Sequence, residues 1–333
     1  MKTMILKNQA LIETSPLEYN ELPEPIAEEK QILIRVRACG VCHTDLHEVE
    51  GDLPLIKKPV IIGHQVVGVV DRVGKDVTKF KRGERVGIPW VHRTCGICHF
   101  CRSSSENLCE SARFTGYSVD GGYAEFMVSE EGFTYQIPEN FSDEEATPLL
   151  CAGIIGYRSI RLSDLQKGER LGLFGFGASA HIALQIARHH GCEVFVFTRS
   201  EEHQKLAAEL GAAWAGRADE HPPAKLDRAI TFAPAGQVVL AALGHLRKGG
   251  TLAINAIYLD RVPEMDYEKH LYYEKTIRSV ASSTRQDAVE FLELAGEIPI
   301  KTEVKVFPLK EANRALQLLK ESRITGAATL KIS

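Results

Sequence analysis

Hydrophobic and polar positions change their rhythm once along the chain, near residue 152. Before that point apolar residues come in short runs broken by turn residues. Gln31-Ile-Leu-Ile-Arg-Val-Arg alternates in part, Val66 to Val73 is rich in β-branched residues, and Gly83-Glu-Arg-Val-Gly reads as a turn followed by a strand. Runs of this kind predict a β-barrel-like domain, because successive side chains on a strand point to opposite faces. From Glu169 onward short apolar strands alternate with helical stretches. Strands are predicted at Leu171 to Phe174, Glu193 to Phe197, Ala229 to Phe232, Thr251 to Asn255 and Thr276 to Val280, with helices at Ser179 to His190 and Glu201 to Leu210. Ala180, Ala183, Leu184 and Ala187 share one helical face, Gly191 stops that helix, and Ser200 and Gly211 bracket the next. The alternation predicts a doubly wound parallel sheet of about six strands. Thr284-x-x-Asp287 opens a further helix, and Val304 to Ser333 returns to barrel-like segments.

Length agrees with that division, since 333 residues suit two domains of roughly 100 to 200 residues each. Hydrophobic residues make up 44 %, enough for two full cores. There is no apolar run of about 18 residues to span a membrane, and Met1-Lys2-Thr3-Met4-Ile5-Leu6 lacks the apolar core and cleavage site of a signal peptide, so a cytoplasmic protein is expected. The net charge of −4, without like-charge blocks or repeats, gives no footprint for nucleic acid.

The eight cysteines sharpen the picture, because they are clustered. Cys95, Cys98, Cys101 and Cys109 follow the pattern C-x2-C-x2-C-x7-C. Four thiolates at about 2.3 Å make a closed tetrahedral zinc site, and closely spaced ligands can wrap one ion on a short loop. The residues between them, among them Gly96, His99, Arg102 and Ser103 to Ser105, are too polar to fold alone, so the metal would supply the folding free energy. The alternatives are buried free thiols or two disulfides, and clustered cysteines in a reducing compartment favour the metal over a disulfide framework. Cys39 with Cys42 also spells C-x-x-C, a redox pattern, while Cys192 reads as a small core filler. His181, His189, His190, His203 and His221 read as helix-end or surface groups.

The turn Gly175-Phe176-Gly177-Ala178-Ser179-Ala180 resembles G-x-G-x-x-G with alanine in the last place. Between a predicted strand and a predicted helix, its glycines let the backbone approach a pyrophosphate, with Ala178 and Ser179 at the helix N-terminus facing the phosphates. A glycine turn made only for packing is the alternative. About twenty residues on, an NAD site would place an acid on the ribose hydroxyls, but Phe197-Thr198-Arg199-Ser200 has none at the strand end. Arg199, assisted by Thr198 and Ser200, would instead pair with a 2′-phosphate, so NADP(H) is expected in preference to NAD(H). Arg199 capping a solvated loop is the other reading.

With the cysteine loop, Cys39-Gly-Val-Cys42-His43-Thr44-Asp45, Gly63-His64, Gly121-Gly122-Tyr123-Ala124-Glu125-Phe126 and the glycine turn in this order, the chain resembles, nearly end to end, zinc-dependent alcohol dehydrogenases of the medium-chain dehydrogenase/reductase superfamily. The resemblance implies an α/β protein with a GroES-like β-barrel catalytic domain at 1–152 and 285–333, a Rossmann coenzyme domain at 153–284, and an active-site cleft at their junction. It implies two zinc ions per subunit. Cys42, His64 and Cys151 correspond to catalytic ligands, a triad that spacing alone does not pick out, with Cys95, Cys98, Cys101 and Cys109 as the structural lobe. Asp45 corresponds to the carboxylate behind His64, Thr44 to the hydroxyl that bonds the alcohol oxygen, His47 to the outer end of a proton relay, and His43 to a pyrophosphate contact. Leu53 and Trp90 correspond to pocket positions, and tryptophan there implies a narrow pocket for primary alcohols and aldehydes. A homo-oligomer, dimer or tetramer, is implied, with no membrane or nucleic-acid partner.

Three residues depart from the family pattern: Gln65 where glutamate usually follows the zinc histidine, Ala327 where many relatives carry arginine against the pyrophosphate, and Ala180 for the third glycine. The Gln65 departure implies a missing negative charge, a more electropositive metal and a lower pKa for bound alcohol. Other classes remain in view. These are the same chemistry with NAD(H), a reductase of quinones or activated alkenes, and a zinc- and nucleotide-binding protein without turnover.

Overall fold

The computed structural model describes residues 1–333 and divides into two compact units, Met1–Cys151 with Ser282–Ser333, and Ala152–Ala281. The first boundary follows from local structure, since helix Ala152–Ser163 starts at the residue after Cys151.

The first unit is built on strand Gln31–Val41, whose eleven residues are long enough to pair with several neighbours. It runs antiparallel to Val66–Val73, to Phe126–Glu130 and to the C-terminal strand Ala327–Lys331. Register shifts at Leu33/Ile34 and Val36/Ala38 bend it, which is how one strand serves two parts of a curled sheet. Arg85–Ile88 and Tyr135–Gln136 extend the sheet on one side and Val304–Pro308 on the other. The last two strands of the chain are parallel to each other, and helix Ala312–Lys320 makes the crossover. This helix is absent from the sequence reading, which assigned only barrel-like segments there. Its spacing of Ala312, Ala315 and Leu316, all buried, is the signal that would have found it. Leu6, Ile34, Val49, Ile88, Leu316 and Leu330 are fully buried in one continuous core.

In the second unit six parallel strands lie in the order Trp214–Gly216, Glu193–Phe197, Arg170–Phe174, Leu226–Thr231, Leu246–Ile254, Thr276–Ser279. The order reverses after Arg170–Phe174, the first strand of this unit, and this is the doubly wound topology whose switch point lies at that strand's C-terminal end. Five of the strands stand where the hydrophobic runs placed them. The sixth, Trp214–Gly216, is too short to show a period and forms through pairing with Phe195 to Phe197. Phe174 and Phe197 stack at 4.1 Å between centroids and form the centre of the core with Phe195, Leu226, Leu243 and Leu252. No helix is long and apolar enough to cross a membrane.

Candidate active site and coenzyme site

Helix His43–Glu50 organises the catalytic candidates. Cys42 is its N-cap, extended at φ −139°, and the Asp45 carboxylate accepts a hydrogen bond from the Cys42 backbone N–H at 2.8 Å. This reciprocal cap fixes the thiol and the carboxylate relative to one another. His64 comes from a different segment, just after Gly63, whose φ is +97°. There Nε2 of His64 lies 3.4 Å from Cys42 Sγ, and Nδ1 lies 3.1 Å from Asp45 Oδ1. Both His64 and Asp45 are buried. Cys151, at the end of the 3-10 turn Thr147–Leu150, completes the group, with all three ligand atoms within 4.8 Å of one another.

The charges show what this trio is suited to hold. The adjacent Cys151 thiol, then burial, push the Cys42 thiol well above its ordinary pKa. Burial alone would favour a neutral His64 ring, but Asp45 and Cys42 outweigh it and hold the ring's pKa well above the usual histidine value. Two crowded thiols and an imidazole beside a carboxylate are a poor arrangement for protons and a good one for a soft divalent cation, which binds thiolates and imidazole. Cys2His with a fourth position open matches catalytic zinc.

Gly63 is essential to this placement. A Cβ there would lie 2.3 Å from Tyr123 Cδ1 and 2.9 Å from Cys39 Sγ, in a backbone conformation that side chains disfavour. Gly63→Ala is expected to lose at least about 2 kcal/mol of stability in urea unfolding, through overpacking and positive-φ strain together.

The remaining candidates fall into place around the trio. Trp90 meets the His64 ring edge-on at 5.0 Å and stacks on Phe114 and Tyr117 at 5.1 and 5.7 Å. Phe114 and Tyr117 were not singled out from sequence, although they follow the last lobe cysteine closely. Thr44 is half-buried and His43 exposed. His47 Nδ1 lies 2.7 Å from Asp52 Oδ2, and the His47 carbonyl accepts the backbone N–H of Leu53 at 3.1 Å. Glu48 was also missed. It is fully buried one helical turn after Asp45, so a second carboxyl lies on the face that carries Asp45.

The lobe cysteines also converge, with the four sulfurs within 4.8 Å of one another. Cys95 Sγ and Cys101 Sγ are 3.8 Å apart, far beyond the roughly 2.05 Å of a disulfide, and all eight cysteines are free. The backbone N–H groups of Ile97 and Cys98 hold the Cys95 thiol down at about 6, ready to ligate as thiolate.

In the second unit Gly175 closes the turn with φ +89° and donates its N–H to the Phe197 carbonyl at 2.9 Å, which brings the glycine turn beside Thr198 to Ser200. Helix Ala178–His189 begins one residue earlier than predicted, with Gly177 as N-cap. A Cβ on Gly177 would touch nothing within 4 Å, so protein packing does not demand glycine there; the open space suits a pyrophosphate. Arg199 is exposed and without an ion pair, while the Thr198 carbonyl accepts from the Gln204 amide at 3.0 Å and the Ser200 hydroxyl caps the next helix. His181 departs from the surface reading. It is buried in the first turn of its helix, and desolvation holds its pKa down at about 4.

Comparison with known proteins places the chain in a family. The chain matches the family "Alcohol dehydrogenase GroES-like domain" over residues 28–139 and "Zinc-binding dehydrogenase" over residues 180–297. It is 49 % identical over 326 residues, covering 96 % of this chain and 94 % of the relative, to the protein named "Probable alcohol dehydrogenase AdhA" of Mycobacterium tuberculosis. It is 35 % identical to an alcohol dehydrogenase of Geobacillus stearothermophilus, covering 95 % of this chain and 96 % of that one. Among solved structures, a cinnamyl alcohol dehydrogenase of Sorghum bicolor superposes with a TM-score of 0.91 at 26 % identity, covering 99 % of this chain and 97 % of that one. The fold, the two cysteine-based clusters and these matches together make the chain a member of the zinc-type alcohol dehydrogenases of the medium-chain dehydrogenase/reductase superfamily.

Proposed function

We propose that the protein is an NADP(H)-dependent alcohol dehydrogenase that interconverts primary alcohols and aldehydes, using one catalytic and one structural zinc per chain. The observation that carries this reading is the convergence of Cys42, His64 and Cys151, with Asp45 behind His64. When bound, zinc supplies Lewis acidity at the alcohol oxygen and the nicotinamide takes or gives the hydride.

The chain's own groups handle position and protons. Asp45 faces His64 Nδ1 and so leaves Nε2 as the ligand atom, the arrangement that raises ligand basicity. Thr44 stands two residues after Cys42, in the first turn of the same helix, and its hydroxyl is the acceptor for the alcohol proton. His47 sits three residues further along the same helix face, where it passes that proton to solvent. With Asp52 at Nδ1, Nε2 of His47 is the nitrogen that receives it. Trp90 over the His64 edge, backed by Phe114 and Tyr117, narrows the substrate side and favours slim primary alcohols over bulky secondary ones. Leu53, tied to the His47 carbonyl, is assigned to the same wall, and His43 to the coenzyme pyrophosphate.

In the coenzyme unit, Gly175, Gly177, Ala178 and Ser179 are assigned to the pyrophosphate and Thr198, Arg199 and Ser200 to the 2′-phosphate. The free guanidinium at the strand end supports this assignment, because a phosphate is the partner its fork geometry fits. We assign the enzyme to the cytoplasm as a homo-oligomer. Aldehyde reduction with matched NADPH and NADH, across short aliphatic and aromatic aldehydes, tests the whole reading. NADPH is expected to win. Arg199→Asp is expected to lower kcat/KM for NADPH by about 10- to 100-fold with little loss for NADH, the size of one or two charge-assisted hydrogen bonds. An unchanged coenzyme ratio in this variant overturns the phosphate assignment, and absence of turnover with either coenzyme favours a binding protein.

A further inference from the structure

The last carbonyls of a helix have no partner within it, and in helix His43–Glu50 residues 9 and 10 supply two of them. The Gln9 side-chain amide donates to the Glu48 carbonyl at 2.8 Å, and the Ala10 backbone N–H donates to the Val49 carbonyl at 3.0 Å. An amide has two N–H donors, and the same Gln9 nitrogen also donates to the Leu53 carbonyl at 2.7 Å. One side chain thus bridges the helix end and the loop that follows it. Between its two anchor points lie Gly51, in the left-handed region at φ +97°, and Asp52, whose Oδ2 meets His47 Nδ1 at 2.7 Å. The His47 carbonyl closes the loop from inside by accepting the N–H groups of Gly51 and Leu53, both at 3.1 Å. Glu50 adds to this seam, since its carboxylate accepts the Ile12 N–H at 2.9 Å and the Lys320 ammonium at 2.8 Å. Those bonds hold the helix, whereas Gln9 among them also reaches the loop that carries Asp52.

The Asp52 side chain is 49 % exposed, so its contact with His47 is not enforced by burial, and an exposed pair of this kind contributes little holding energy of its own. Its geometry is set by the backbone on either side. We propose that Gln9 is a positioning residue for proton transfer, which by clamping the Glu48 and Leu53 carbonyls fixes Asp52 against His47 Nδ1 and so keeps Nε2 turned to receive the alcohol proton. The inference rests on the relay from Thr44 to His47 proposed above. Without the clamp the loop moves away, and the His47 ring loses the partner that sets its tautomer and its orientation.

The test is the single-turnover rate of hydride transfer from a short primary alcohol to saturating coenzyme, in the full-length, zinc-loaded enzyme. Gln9→Met, which keeps the length and removes the donors, is expected to lower that rate about tenfold, inside the roughly hundredfold that a 1 Å misplacement can cost, with KM for alcohol and coenzyme within about twofold of the parent. Gln9→Lys, whose ammonium can reach both carbonyls, is expected to stay within about threefold of the parent. His47→Ala is expected to lower the rate at least about tenfold, and adding Gln9→Met to it is expected to change the rate less than about twofold, because the clamp acts through His47. Asp52→Ala, at an exposed side chain, is expected to match Gln9→Met and keeps the test open if Gln9→Met does not fold. A parent-like rate in Gln9→Met or in Asp52→Ala overturns the proposal. So does an equal loss from Gln9→Met with and without His47, since a general loosening of the fold would then be the cause. A parent-like rate in His47→Ala overturns the relay itself, and the two failures are thereby distinguished.

Discussion

Replacing His64 with alanine is expected to lower kcat/KM for aldehyde reduction by more than about a thousandfold and, on the two-zinc reading proposed above, to reduce the zinc content from two ions per chain to one. Polarising the substrate oxygen is worth several kcal/mol, and each 1.36 kcal/mol is about tenfold in rate, so losing the ion removes the main electrostatic contribution at once. The change is concentrated at one point because His64 belongs to three relationships. Its Nε2 faces Cys42 Sγ, its Nδ1 faces Asp45, and its ring edge meets Trp90. Alanine removes the ligand, leaves the buried Asp45 with only the Cys42 N–H, and opens the wall behind Trp90. Zinc content by metal analysis, with NADPH binding followed separately by fluorescence, checks the result. Coenzyme binding within about threefold of the parent is expected, because Gly175 to Ser179 and Thr198 to Ser200 lie in the other unit. Retention of both ions in His64→Ala would remove Cys42, His64 and Cys151 as a metal site.

The second large effect is expected in the lobe. Cys101→Ser is expected to lose the lobe ion and to make the segment around Cys95–Cys109 the first point of protease cleavage, with a lowered Tm. Helix His99–Arg102 is a single turn with no buried residue, and the sulfurs of Cys95, Cys98 and Cys101 are not deeply covered. Such a segment has almost no apolar burial to oppose its chain entropy. Thiolate–metal bonds must supply that stabilisation, and structural zinc provides on the order of 10 kcal/mol or more in small domains of this kind. Glu106 marks how far the loss spreads, since this buried carboxylate accepts from the Arg285 N–H at 2.8 Å and from its guanidinium at 3.1 Å. Limited proteolysis followed by mass spectrometry, with and without a chelator, locates the cleavage. An uncleaved lobe after metal loss would show that packing holds it.

Local pattern carried a large part of this protein. Cysteine spacing announced the lobe, because its ligands are neighbours in the chain and a short loop can close on one ion. The period of apolar positions announced the parallel sheet, and the Ser200 and Thr284 caps fall where their side chains find the first helical N–H groups. The glycine turn is visible for the same reason, since positive φ at Gly175 is a local demand. Resemblance, not spacing, picked out Cys42, His64 and Cys151, which are separated by 22 and by 87 residues in the numbering.

What lay outside the chain's local signals depends on contacts between distant segments. Strand Trp214–Gly216 exists because Glu193–Phe197 offers it an edge, and the last two strands are parallel because helix Ala312–Lys320 returns the chain in that direction. The aromatic wall of Trp90, Phe114 and Tyr117 forms only where two turns meet, and the burial of His181 follows from packing around Phe176. Glu48 is the sharpest case. As a charged residue on a short helix it reads as surface, and only the packing of that helix against the core removes both its oxygens from water. The amino-acid order by itself determined most of the elements, the cysteine lobe and the glycine turn, whose physics is local. Tertiary structure decided which distant thiols, rings and carboxyls meet, because burial and electrostatic fields arise only once segments far apart in the chain are packed together.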